Sequence, residues 1–334
     1  MPAYFGLDIG STSVKLIQTD GNRVKAIGIG TNPFGKPISA MTNAEKISMT
    51  DVLRTLIKES GIRLDKAVAS ISESSVFSRV LKFPVMSTPE LSTAIKWELD
   101  QSVPFPPSEI ETSWSVLERP EKFEGNEKIS VYVVAVPTKI SETYVQMCEL
   151  IGIELVRLEN EIPALNRTFG PVLSNEKPAA VLDWGASGTN IVISGKNKLF
   201  SNFYVPVGGF ALTKLIADAF GLPLDQAESY KRTYGLAKDQ LEGKMVVALK
   251  PVIDNVVGEL RKLLIAFKDE YQDNSINKLI LTGGGSYLIG LIPYLTDALG
   301  GVEVVMGDTF ASMAVEAKYK SLGPVFPIAN GLSQ

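Results

Sequence analysis

Residues 5–17 read Phe5-Gly-Leu-Asp8-Ile-Gly10-Ser11-Thr12-Ser13-Val-Lys15-Leu-Ile17, and residues 180–193 read Ala180-Val-Leu-Asp183-Trp-Gly185-Ala-Ser187-Gly188-Thr189-Asn190-Ile-Val-Ile193. Each stretch has an apolar run, an Asp-x-Gly, a few small hydroxylated or glycyl residues, and a second apolar run. Asp8 corresponds to Asp183, Gly10 to Gly185 and Thr12 to Ser187. A strand–turn–strand repeated with a carboxylate at its bend implies a duplicated α/β fold with two facing turns. Such turns can clamp a polyphosphate and its metal, because backbone amides and hydroxyls in a tight turn bind phosphate oxygens. Gly10, Gly185 and Gly188 let the backbone bend and let a ligand approach closely. Ser11, Thr12, Ser13, Ser187 and Thr189 add donors. Lys15 either adds positive charge or faces solvent from its strand. Asp8 and Asp183 are the expected magnesium residues, acting through water, since magnesium prefers oxygen donors and keeps much of its hydration. A hairpin with an Asp-Gly-Ser turn is common in its own right; the pair of matching turns carries the reading.

A third glycine-rich stretch, Leu281-Thr-Gly283-Gly284-Gly285-Ser286, lies between a predicted strand (278–281) and a further helix. It offers a surface for a flat ligand group and amides for an anion, or is simply a glycine-rich helix cap. It is not a P-loop, since no Gly-Lys-Ser/Thr follows.

The 334 residues suggest about two domains, at ~100–200 residues each. The chain has 45% apolar and 21% charged residues, as in folded globular proteins. A net charge of -4 leaves no basic footprint for nucleic acid. The absence of histidine removes the commonest general base and zinc ligand. Cys148, the single cysteine, reads as a small buried apolar residue rather than a reactive thiol. No apolar run approaches the ~20 residues of a membrane helix, and the N-terminal residues do not read as a signal peptide. The expectation is a soluble intracellular protein.

Along the chain, a β-hairpin or meander leads to a disordered-looking stretch at 28–42 and a helix at 51–60. A strand at 66–72 and an extended run at 76–83 follow. A helix at 90–101 then has Thr88 as N-cap, Pro89 at its first position, and Leu91, Ile95 and Leu99 on one face. Two strands, 112–117 and 128–136, flank a charged loop centred on 125–126; a helix (141–151) and a strand (154–157) close the block. A helix at 162–169 precedes the second turn. Further helices are expected at 210–220, across 225–271 with a break near 234–242, and at 308–320, before an extended tail at 323–334.

Asp8-x-Gly10, Asp183-x-Gly185 and Gly283-Gly-Gly285, in this order, resemble the two phosphate motifs and the adenosine motif of the superfamily of actin, heat-shock chaperones and sugar kinases. Ala227-Glu228-x-x-Lys231 resembles the nucleoside-contacting helix of bacterial actin-like proteins, implying Glu228 at the ribose and Lys231 beside the base; otherwise it is an exposed charged helix face. Pro206-x-Gly208-Gly209 resembles the segment entering the second lobe's upper subdomain. The run Leu81-x-Phe83-Pro-Val-Met-Ser-x-x-Glu90-Leu-x-x-Ala-Ile-x-Trp97-Glu98-x-x-Gln101-x-Val103-Pro-Phe105 is similar to the PilM family of actin-like type IV pilus assembly proteins, as is Ile328-Ala-Asn-Gly-Leu332.

That resemblance implies a two-lobed, ribonuclease H-like duplicated actin fold with an extra subdomain of the FtsA type. The expected division is 1–64 (first lobe), 65–158 (inserted subdomain), 159–178 (return), 179–207 (second-lobe core), 208–275 (upper helical subdomain), 276–305 (core again) and 306–334 (C-terminal helix and tail on the first lobe). It also implies ATP or ADP with magnesium, and a groove for the N-terminal cytoplasmic peptide of the inner-membrane protein PilN. The protein would then be cytoplasmic and peripheral to the inner membrane through that partner, beside other pilus assembly proteins. Leu81, Phe83, Trp97, Val103 and Phe105 are the groove candidates, most of them equally readable as subdomain core, with one or two expected to face a peptide.

A kinase on the same fold is the alternative, but its base candidates, Glu159, Glu161 and Asp218, read as surface or structural carboxylates. An FtsA-like membrane-bound filament would call for a basic amphipathic C-terminal helix, which the tail lacks. Dimers or filaments remain open. No water-activating residue is evident, so at most slow ATP hydrolysis is expected.

Overall fold

The computed structural model describes residues 4–120, 127–173, 177–195, 198–271 and 275–334. The chain starts with β1 (Phe5–Ile9), β2 (Ser13–Asp20) and β3 (Arg23–Thr31), then α1 (Asn43–Ser60) and β4 (Lys66–Ile71). Next come β5 (Phe77–Pro84), α2 (Thr88–Ser102), β6 (Ile110–Glu118), β7 (Lys128–Pro137), α3 (Thr138–Leu150), β8 (Glu154–Asn160) and α4 (Glu161–Phe169). The second half has β9 (Ala179–Trp184), β10 (Thr189–Gly195), β11 (Lys198–Val205), α5 (Gly209–Phe220), α6 (Leu224–Tyr234) and α7 (Lys244–Glu270). It ends with β12 (Lys278–Thr282), α8 (Leu291–Leu299), β13 (Glu303–Met306) and α9 (Pro327–Leu332).

Two five-stranded sheets share one topology. The first has the order β3-β2-β1-β4-β8 and the second β11-β10-β9-β12-β13. In each, three antiparallel strands form one side and two parallel strands are added on the other. The duplication read from the Asp-x-Gly turns thus extends to whole lobes. Every residue of β1 and β9 is buried, as expected for central strands with both faces covered. In the first lobe, Met49, Leu53 and Leu56 of α1 pack on Phe5, Leu7 and Leu16. On the other side, Ile162, Leu165 and Phe169 of α4 join Val181, Val192 and Ile280 of the second sheet. That cluster ties the lobes together. Among the described residues, no helix is long and apolar enough to cross a membrane.

Residues 65–158 divide differently from the expectation. β4 and β8 pair into the first sheet, and α3 packs there through Tyr144, Met147 and Cys148. Among the described residues, β5, β6, β7 and α2 alone form a separate module: a three-stranded sheet, β5-β7-β6, under one helix. Leu91, Ile95 and Leu99 of α2 seal it against Phe83, Ile129, Val131 and Val133. Periodicity alone cannot say which sheet a strand joins, because pairing partners lie far apart in sequence.

Smaller differences have local causes. The N-cap of α2 is Ser87 rather than Thr88; its backbone N–H donates to Glu90 Oε2 at 2.8 Å in a capping box, leaving Pro89 one position further in. The 28–42 stretch is ordered. Its start completes β3, and Ile38 and Met41 are buried. Helix α1 begins earlier than expected, at a second capping box between Thr42 and Glu45. Residues 308–316 are a turn and irregular chain with one bridge from Ala314 to Arg23, and a 3₁₀ segment spans Ala317–Val325 in place of the expected last helix. The tail is not extended: α9 is helical and buried throughout. The loop at 125–126 lies outside the described residues.

Candidate functional site

The two hairpin turns face each other across the lobes. Gly10 N donates to Ser13 O at 2.9 Å, and Gly185 N to Gly188 O at 2.9 Å, so both turns close in the same way. Ser187 Oγ donates to Ser11 Oγ at 2.7 Å across the gap. Asp8 and Asp183 sit at matching strand ends, both buried. In each hairpin the residue opposite the carboxylate binds it. Lys15 Nζ donates to Asp8 Oδ2 at 2.9 Å, and Asn190 Nδ2 to Asp183 Oδ2 at 3.3 Å. Lys15 is therefore a half-buried partner of Asp8 and not a solvent-facing strand lysine. Of the hydroxyl candidates, Ser11, Ser13 and Ser187 are half-buried and Thr12 is exposed. Thr189 is fully buried and its hydroxyl donates to Val207 O at 2.7 Å, which fixes the strand-to-helix connection.

A third carboxylate enters the cleft. Glu161, at the start of α4, accepts from Asn190 Nδ2 at 2.8 Å and from the Glu73 backbone N–H at 3.2 Å. Loss of hydration, followed by the charges of Asp8 and Asp183, pushes its carboxyl up to about 8. Burial lifts Asp183 to about 6, against the pull of Lys15. Glu161 is thus placed in the cleft, not on the surface, and Asn190 bridges two acidic groups with one amide. Glu161 is one of three loose base candidates in the sequence, where an acid in a helix first turn also looks like routine dipole compensation; Asn190 looks like one more polar strand residue.

Asn32 is a further residue not singled out from sequence. Its N–H donates to Thr12 O at 3.0 Å and its side-chain amide to Gly10 O at 2.8 Å, which clamps the first turn from outside. The pattern Asn-Pro in a loop was the available signal.

The glycine-rich loop lies beside the second turn. Gly283 has φ 82°, and a Cβ there would lie 2.5 Å from Trp184 O; at Gly285 it would lie 2.5 Å from Trp184 Cδ1. Both glycines are demanded by the fully buried Trp184 beneath them. Nothing stands within 4 Å of a Cβ on Gly284, which opens onto free space. Ser286 is buried and spends its hydroxyl on Gly283 O at 2.6 Å. Gly208 and Gly209 dock directly on the second turn. Gly209 N donates to Gly185 O at 2.9 Å, and a Cβ on Gly208 would lie 2.5 Å from Ala186 O. Lys231 Nζ donates to Gly209 O at 3.0 Å and Thr213 Oγ1 at 2.8 Å, and pairs with Glu228 at 2.6 Å. Burial would raise the Glu228 carboxyl, but Lys231, Thr213 and Arg232 together hold it down at about 2. The structure therefore gathers both turns, Gly208-Gly209, Glu228, Lys231 and the Gly283–Gly285 loop around one cleft.

Among the described residues no group of three or more His, Cys, Asp or Glu side chains is arranged to hold a metal by itself. The groove candidates separate. Phe83 belongs to the module core, Leu81 and Val103 pack against it, and Phe105 is half-buried. Trp97 is 62% exposed on the outer face of α2.

Paired lobes of this topology, meeting at two Asp-x-Gly turns beside a glycine-rich loop, define an actin-like protein. Three solved structures agree. The PilM-PilN type IV pilus biogenesis complex superposes with a TM-score of 0.84 at 28% identity, covering 99% of this chain and 97% of that one. The ethanolamine utilization protein EutJ from Carboxydothermus hydrogenoformans gives 0.60 at 17% identity over 100% and 89% of the two chains. MreB5 of Spiroplasma citri bound to ADP gives 0.55 at 12% over 99% and 95%. At their identities the last two speak to fold alone. A family model described as type IV pilus assembly protein PilM matches residues 6–333, and the chain belongs to that family.

Proposed function

We propose that this protein binds an adenine nucleotide with magnesium in its cleft and uses nucleotide state to control docking of the N-terminal peptide of a PilN-like inner-membrane protein. The observation that carries the nucleotide reading is the pair of turns, closed alike and meeting at Ser11–Ser187 with a buried carboxylate behind each. The glycine-rich loop adds an open face at Gly284 for the adenosine. Solved actin-like relatives carry ADP or AMPPNP by their descriptions. Magnesium suits a site whose acids are Asp8 and Asp183, with no histidine or cysteine nearby, and would neutralise phosphate charge.

Glu161 is the group placed to orient a water. Burial raises its carboxyl, and the charges of Asp8 and Asp183 add to the rise; magnesium held at those two acids would offset their contribution. At most slow turnover is expected, which suits a switch better than a metabolic kinase. The PilN partner is supported by the PilM-PilN complex among the relatives, and Trp97 is the exposed aromatic anchor. The protein would work on the cytoplasmic face of the inner membrane, held there by its partner.

Calorimetric titration with Mg·ATP, followed by titration of a synthetic PilN N-terminal peptide with and without nucleotide, tests both halves. Saturable binding of each, with peptide affinity changed by nucleotide, is expected. Turnover of several per second stimulated by a sugar would favour the kinase reading instead.

A further inference from the structure

The inserted module touches the second lobe as well as the first. Strand β5 runs beside β11, and Asn202 Nδ2 donates to Ser78 Oγ at 2.9 Å and to Ser78 O at 3.3 Å. Ser78 Oγ donates in turn to Glu73 Oε2 at 2.7 Å. Glu73 is buried at the end of β4, where Asn160 also donates to its carboxylate, and its backbone N–H is the one that holds Glu161. A single hydrogen-bonded path therefore runs from Asn190 in the cleft, through Glu161 and Glu73, to Ser78 in the module and Asn202 in the second lobe.

Outside the path lies a second contact. The end of α7 and β11 form an aromatic platform: Phe267 stacks on Tyr271 at 4.8 Å, and Phe200 meets both edge-on at 5.4 and 5.2 Å. Lys82 of the module reaches across to it. Its Nζ donates to Tyr271 Oη at 2.7 Å, pairs with Glu270, and lies 4.4 Å from the Tyr271 ring centroid. Glu118 of the module pairs with Lys198 of β11. An isolated surface ion pair is worth little, but one ammonium held at once by a carboxylate, a hydroxyl and a ring face has defined geometry.

We infer that the inserted module is latched to the second lobe through Lys82, Tyr271 and Glu270, and that this latch makes the module follow the second lobe when the cleft closes on nucleotide. A module fixed only to the first lobe would ignore closure. Latched, it must shift on its first-lobe base or break the contact, and the Glu73–Ser78 path lies where that shift falls. This inference rests on the nucleotide reading and supplies its mechanical output.

Hydrogen exchange on the full chain tests it, with the double variant Lys82→Met, Tyr271→Phe, which removes the polar contacts but keeps the stem and the ring stack. Without nucleotide, amides of β5 and of residues 267–271 should exchange roughly tenfold faster in the variant. With saturating Mg·ATP, wild-type protein should gain protection at residues 8–15, at residues 183–190 and in β5; the variant should gain it at the two turns alone. A module response to nucleotide equal to wild type, or unchanged exchange in β5 without nucleotide, overturns the latch. Absence of protection at either turn in wild-type protein overturns the nucleotide reading, and transmission with it.

Discussion

Glu73 offers a prediction whose size follows from the structure. It is buried, accepting from Ser78 Oγ at 2.7 Å and from Asn160 Nδ2. Burial pushes its carboxyl up from 4.5 to about 7, with those two donors pulling the other way. The unfolded chain releases this proton near 4.5, the folded chain near 7. Between those values the folded state holds more protons, so stability falls as pH rises through that window and levels off above it. At ~1.36 kcal/mol per pH step the whole interval amounts to about 3 kcal/mol. Glu73→Gln copies the protonated acid: one oxygen still accepts from Asn160, and the amide N–H₂ donates to Ser78. Urea unfolding at constant ionic strength, from pH 5 to pH 8, should show wild type and variant close together at the acid end. At pH 8 the variant should lead by about 3 kcal/mol. Asp183 bends both curves alike and drops out of the difference, while Glu161, whose carboxyl the Glu73 charge also helps to raise, widens it in the same direction. A difference that stays flat with pH, or a variant that is the less stable at pH 8, refutes the argument.

Gly284→Val adds a side chain in open space, so the melting temperature should hold while Mg·ATP affinity by calorimetry falls at least ~10-fold; undiminished affinity would displace the adenosine from this loop. Asp8→Asn keeps the shape but breaks the ion pair with Lys15 and should weaken Mg·ADP binding by a similar factor, while wild-type affinity would remove Asp8 from the site. Trp97→Ala should change stability by under ~0.5 kcal/mol, whereas Phe83→Ala, in the module core, should cost ~3–5 kcal/mol. Anisotropy with a labelled PilN N-terminal peptide should show the loss of affinity in Trp97→Ala. Cys148, whose thiol burial pushes up to about 11, should resist thiol reagents in the native protein at pH 8 and react on unfolding; prompt native labelling would contradict its burial.

How much of this was legible beforehand depended on range. The two turns were readable because Asp, Gly and hydroxyl residues at a bend are local chemistry, and repetition separated them from chance. The helices α2, α4 and α5 carried their own apolar faces, and the cap of α2 was read one residue late. What failed was non-local. Whether β4 and β8 belong to the first sheet is decided by the pairing of β4 with β1 and of β8 with β4 across long stretches of chain, and nothing in Lys66–Ile71 announces its neighbours. Glu161 and Asn190 gain their meaning only when α4 and β10 converge. Trp97 and Phe83 share a motif and an apolar character, and only the packing of α2 on β7 decides that one is outside and the other within.

Helix α9 has a consequence for how the chain is made. It fits against β1 so closely that a Cβ on Gly6 would lie 2.0 Å from Ala329 O, and a Cβ on Gly331 would lie 2.0 Å from Ala164 O. The first lobe is therefore completed by a segment translated after the whole second lobe. A nascent first lobe emerging from the ribosome has an apolar seat on β1 and α4 with nothing to fill it. During synthesis the first lobe reaches its full packing only after the second lobe has been made, and any fusion or truncation that displaces Pro327–Leu332 would be felt first at the opposite end of the sequence.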